Sequence, residues 1–117
     1  MKITAMNTIV VGNPWKNWLF VKLTTDEGIT GLGECTYGLG TRAVEAMLEE
    51  MRDLVIGEDP TRIEGLGDMW QKALFLVHGP IISAALSGLN IACWDIAAKA
   101  AGLPLYRLLG GQTRSRI

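Results

Sequence analysis

The chain has 117 residues, about half of them apolar and a fifth charged, which is the balance of one globular domain with a real core. Eleven basic residues stand against twelve acidic ones, and Lys and Arg are scattered from Lys2 to Arg116 with no basic stripe, so a nucleic-acid partner is not expected. Cys35 and Cys93 are far apart among small or apolar neighbours, and MKITAMNTIVV has no continuous apolar h-region, so the expectation is a cytoplasmic protein with two free thiols.

The first elements have period two. Residues 2–11 are rich in Ile, Val and Thr, as strands are. In 17–25, Leu19, Val21 and Leu23 share one face and Lys22 and Thr24 the other. Asp26-Glu27-Gly28 is a short connection ending on the residue best able to take a positive φ. Residues 29–36 form a third strand with Gly31 and Gly33 on one face, which marks a site where another backbone approaches closely. A three-stranded antiparallel meander is expected.

The period then changes. Thr41 is placed to cap a helix in which Val44, Met47, Leu48, Met51, Leu54 and Val55 follow helical spacing, with Gly57 as its stop. Asp59-Pro60 starts a second helix carrying Ile63, Leu66, Trp70 and Leu74, loosened by Gly65 and Gly67. Pro80 opens the longest helix, and Gly102 with Pro104 closes it. Its run from Ile81 to Ala101 contains Ser83, Ser87, Asn90, Asp95 and Lys99, so it reads as a buried helix rather than a membrane span. A short helix at 105–109 follows. Strands first and helices afterwards make this an α+β fold: a meander followed by a bundle of three to four helices in a single domain, 1–117.

Candidate chemistry is sparse. His78 is the only histidine; it reads as a loop or helix-start residue, with ligand contact the alternative. Glu45, Glu49, Glu50 and Asp53 have the spacing of a solvated helix face rather than of a cation site. Asp95 and Lys99, four apart, read as a structural ion pair or a hydrogen bond to a nearby loop, and no acid–base partner for a catalytic Asp95 is visible. Neither catalytic nor metal-binding residues are assigned. Two glycine-containing loops remain, residues 12–18 and 35–40, bearing Trp15, Lys16, Trp18, Tyr37 and Leu39. Their aromatic side chains either close over a small molecule or fold back as satellite core.

Three blocks in order carry a resemblance. FVKLTTDEGITGLGE (20–34), IGEDPTRIE (56–64) and AALSGLNIACWDIAAKAAGLPLYRLLGG (84–111) resemble the amino-terminal capping domain of enolase-superfamily enzymes of the mandelate racemase group. MKIT and Pro14-Trp15 followed by WLFVKLTTDEG look most like the galactonate-type sugar-acid dehydratase branch. The resemblance implies a lid over a modified (β/α)₈ barrel, with Lys or His bases and a magnesium ion on barrel strands outside this chain. It implies that a small carboxylate-bearing substrate meets Trp15, Lys16, Trp18, Tyr37 and Leu39 only when a barrel is present. Asp95 and Lys99 fall in a WDI-x-x-K pattern where they look structural, and Gly65–Trp70 departs from the family's usual approach to that Trp. Residues 113–117 correspond to the approach to the first barrel strand, so this chain is expected to be non-catalytic alone. The alternative is a self-associating, non-catalytic binding or assembly module with the lid fold; a homo-oligomer is expected on either reading.

Overall fold

The computed structural model describes residues 1–12, 15–75 and 79–116. Strands β1 (Ile3–Gly12), β2 (Asn17–Thr25) and β3 (Thr30–Glu34) form an antiparallel sheet in the order β1-β2-β3. Their register pairs Met6 with Leu23, Val10 with Leu19, Val21 with Gly33 and Leu23 with Gly31. Gly28 takes a φ of 78° in the β2–β3 turn, where a side chain would be strained. A register shift between Ile3 and Ala5 turns both Ile3 and Met6 inward although they are three apart. Leu19, Val21 and Leu23 are fully buried on the same face.

Five helices follow among the described residues: α1 (Thr41–Glu50), α2 (Arg52–Val55), α3 (Ile63–Ala73), α4 (Pro80–Ala100) and α5 (Leu105–Leu108). The single helix expected over 41–55 is thus two. The break at Met51 is slight: the Leu54 amide bonds back to the Met51 carbonyl, a tighter i→i+3 bond, while Leu48, Met51 and Val55 all stay in the core. Thr41 is not the cap. Gly40 holds that position, and Thr41 lies buried in the first turn with no side-chain capping bond. Helix α3 runs unbroken through Gly65 and Gly67. Its Trp70 is buried and donates its indole N–H to the Leu54 carbonyl at 2.9 Å, so the ring enters the core with its polar atom satisfied.

Helix α4 is the centre of the molecule. It meets length and composition criteria for a membrane span, yet it packs on β2, β3, α1 and α3 and buries Ala85, Gly88, Leu89, Ala92, Cys93 and Ile96. Its end is well made: Gly102 at φ 65° lets the Leu103 and Gly102 amides reach the Ala98 and Lys99 carbonyls. The glycines expected to mark a close approach do so. A Cβ on Gly31 would overlap the Ala92 carbonyl oxygen, and one on Gly33 the Gly88 carbonyl oxygen. Gly88 in turn leaves room for the Cys35 side chain.

Strand β3 lies at the edge of the sheet, with unpaired backbone groups that helix α4 covers. Asp95 Oδ2 accepts the Leu32 N–H at 3.0 Å, and Lys99 Nζ donates to the Thr30 carbonyl at 2.7 Å. The two side chains also pair with each other at 2.7 Å. The pair read as structural therefore seals a sheet edge.

Candidate functional site

A meander brings two particular segments together. Because β2 runs antiparallel to β3, the chain entering β2 lies beside the chain leaving β3, and the register of Phe20 with Glu34 fixes that end. The pairing continues past the strands: the Cys35 amide donates to the Leu19 carbonyl at 2.8 Å, and the Leu19 amide to Thr36 Oγ1 at 3.1 Å. Sequence-distant loops are thus neighbours.

Between them is a cavity of about 280 Å³ lined by Trp15, Lys16, Asn17, Gly38, Leu39, Thr41 and Arg42. Of the five residues singled out from sequence, Trp15, Lys16 and Leu39 form its wall. Trp15 is 74% exposed and Leu39 wholly so, which leaves both apolar surfaces facing open space. Trp18 is not on the wall. Alternation along β2 puts it on the sheet face away from the helices, where its ring meets Trp15 edge-on at 6.1 Å and lies under Lys16 Nζ at 5.2 Å. It props the two residues that line the cavity. Tyr37 is also off the wall: its ring lies over Gly40, and its carbonyl accepts the Gly40 amide at 2.7 Å, closing the turn into α1.

Asn17, Thr41 and Arg42 are wall residues that the sequence does not single out. Thr41 reads as a helix cap and Arg42 as one scattered cation; only the meander's closure brings Arg42 opposite Lys16. His78, with Asn13 and Pro14 of the first loop, lies outside the described residues.

Several other titratable groups are engaged within the fold. Glu45 accepts the Thr8 hydroxyl at 2.8 Å. Glu49 takes two hydrogen bonds of 2.7 Å from Arg52, which hold its carboxyl below the ordinary range, and Arg52 also donates to the Met6 carbonyl. Asp59 accepts the Thr61 amide and hydroxyl, which lowers its pKa in the turn before α3. Among the described residues no group of three His, Cys, Asp or Glu side chains is placed to hold a metal ion. Burial pushes the Cys35 thiol up to about 11, with the Glu34 charge adding to the effect, and the Cys93 thiol up to about 12, so neither is a nucleophile near neutral pH. A second cavity, about 300 Å³ between α3 and α4, is lined among the described residues by Gly67, Trp70, Gln71, Ser83, Leu86, Ser87 and Asn90, none of them charged.

Comparison with known proteins places this geometry. Residues 4–110 match the family described as mandelate racemase / muconate lactonizing enzyme, N-terminal domain. The chain belongs to this family. Over all 117 residues the domain is 43% identical to a D-galactonate dehydratase of Pectobacterium atrosepticum and 42% identical to one of Ralstonia pickettii, and it spans 30% of the length of each. Among solved structures, an enolase-superfamily member from Salmonella Typhimurium shares 42% identity and a TM-score of 0.90, over 97% of this chain and 30% of that one. An enolase from Pantoea ananatis, solved with D-gluconate and Mg bound, shares 38% identity and a TM-score of 0.90, over 96% of this chain and 28% of that one. The α+β meander-and-bundle fold is that of the family.

Proposed function

We propose that this domain is the substrate-specificity lid of a magnesium-dependent enolase-superfamily enzyme, a sugar-acid dehydratase or racemase that removes a proton next to a carboxylate, and that it is not catalytic alone. One observation carries the reading: Trp15 and Leu39, from loops 12–18 and 35–40, stand exposed on a shared cavity at one end of the sheet, in a domain whose curated relatives are D-galactonate dehydratases. Exposed apolar groups on such a rim exclude water once a ligand lies beneath them. Trp15, Lys16 and Leu39 meet the substrate directly, while Trp18 and Tyr37 hold them in place. Magnesium belongs to the remainder of such an enzyme, where it stabilises the enediolate; this domain supplies binding and shielding. Two buried free thiols fit a reducing compartment, the cytoplasm.

The test is a fusion of residues 1–117 to the carboxy-terminal remainder of the Pectobacterium relative, assayed with magnesium on a panel of aldonic and aldaric acids. The fusion is expected to turn over at least one acid sugar, the 117-residue chain none. In the fusion, Trp15→Ala or Leu39→Ala should lower kcat/KM about tenfold. Turnover by the chain alone, or a folded fusion inactive on the whole panel, overturns the reading.

A second reading, a self-associating module, draws on a different surface. Ile9, Val11 and Leu32 are exposed on the sheet face away from the helices, and Leu109 is exposed elsewhere, after α5. Sedimentation of the chain across a hundredfold range of concentration separates a dimer or larger assembly from a monomer.

A further inference from the structure

The cavity between the two loops is lined by two cationic residues. Lys16 comes from the segment entering β2, and Arg42 from the first turn of α1. Among the described residues no acidic side chain is on the wall, which is otherwise completed by Asn17 and Thr41 as hydrogen-bonding groups and by Trp15 and Leu39 as apolar ones. Among the described residues Arg42 has no ion-pair partner. Glu45, one turn along the same helix, is the nearest acid in sequence, but its carboxylate is engaged by Thr8. An Arg and a Lys lining one small cavity attract an anion, and the guanidinium fork matches the planar geometry of a carboxylate. Neutral polyols can accept hydrogen bonds from these groups but lack the charge that pairs with them.

We propose that Lys16 and Arg42 are a carboxylate-binding pair on this cavity, so that the end of the ligand meeting this domain is negatively charged as well as hydroxylated. The binding itself stands apart from the lid reading, but its meaning for substrate rests on it. The reaction already uses one carboxylate, beside the proton that leaves. A carboxylate at this cavity is then a second one, and the substrate class narrows to sugar diacids.

Two measurements test this. In the first, the 117-residue chain is titrated with D-galactarate, with galactitol and with inorganic phosphate, following the Trp15 indole signal by NMR. Galactarate should bind, galactitol at least tenfold more weakly, and Arg42→Gln should weaken galactarate about tenfold with the circular dichroism spectrum unchanged. Phosphate binding as tight as galactarate, equal response to galactitol, or an Arg42→Gln chain that binds galactarate normally overturns the carboxylate pair. Lys16→Gln is the second variant should Arg42→Gln fail to fold. In the other measurement, kcat/KM for galactarate relative to galactonate is compared between the fusion enzyme and the relative that supplied its barrel. The fusion should have the higher ratio, and Arg42→Gln should lower it about tenfold. A ratio that Arg42→Gln leaves in place overturns the diacid class. A fusion active on neither acid removes the lid reading and the diacid class with it, while the titration still decides the cation pair.

Discussion

The seam between α4 and β3 and the rim around the Trp15–Arg42 cavity lie in one small domain and are built in opposite ways. At the seam, backbone meets backbone: Gly31 and Gly33 face Ala92 and Gly88 so closely that no side chain fits, and Asp95 and Lys99 seal the strand edge. At the rim, long side chains stand into open space on loops braced by Thr36, Tyr37, the Trp18 ring and the continued β2–β3 pairing. Stability is concentrated where volume is fixed, and binding is placed where volume is free. The rim can therefore change its chemistry without disturbing the fold.

That contrast can be broken at its strongest point. Gly33→Val would drive a branched side chain into the Gly88 carbonyl, and the domain is expected to lose about 3 kcal/mol or fail to fold, as urea unfolding would read. A Gly33→Val protein of ordinary stability would mean that α4 can slide on the sheet and the seam is not rigid. Next in size is Trp70→Phe. Losing the indole N–H strands the Leu54 carbonyl in the core, and about 2 kcal/mol should go with it and with the lost ring volume. Asp95→Ala leaves the Leu32 amide unpaired and Lys99 without its ion-pair partner at a partly exposed edge, where about 1 kcal/mol is at stake. On the rim, Trp15→Ala should change the unfolding free energy by less than about 0.5 kcal/mol, since exposed substitutions seldom do more. A large shift there would make Trp15 a core residue.

The two thiols offer a smaller test of the interior against pH. An unfolded thiol titrates near 8.5. In the fold, Cys35 and Cys93 hold their protons to about 11 and about 12. Between those values the native state binds more protons than the unfolded one. Their contribution is therefore complete below pH 8.5 and declines as pH rises toward 11. Native protein at pH 8 should resist iodoacetamide under conditions that alkylate both thiols in urea. Rapid labelling of Cys93 would show that α4 opens locally.

Local pattern carried most of the fold. Alternation at Leu19, Val21 and Leu23 oriented the sheet, paired glycines at 31 and 33 announced a close backbone, and Pro80 with Gly102 bounded α4. These signals survive because each is a property of the residue and its near neighbours. The departures came where neighbours in space decide. Met51 interrupts a helical run because core packing around Leu48 and Val55 tightens one turn. Thr41 goes into the core, so Gly40 becomes the cap.

The candidate site divides along the same line. Side chains on glycine loops are legible in sequence, and of those singled out there Trp15, Lys16 and Leu39 line one cavity. Which loop aromatics reach a cavity and which brace it was not legible, because Trp18 and Tyr37 differ from Trp15 only in where strand alternation and a turn aim them. Arg42 carries no local mark at all. By itself the sequence determined the elements, the buried face of the sheet and the family. Only the tertiary structure decided that Lys16 and Arg42 share one cavity, because charge pairing across twenty-six positions (42 less 16) depends on antiparallel closure of the sheet and not on any spacing along the chain.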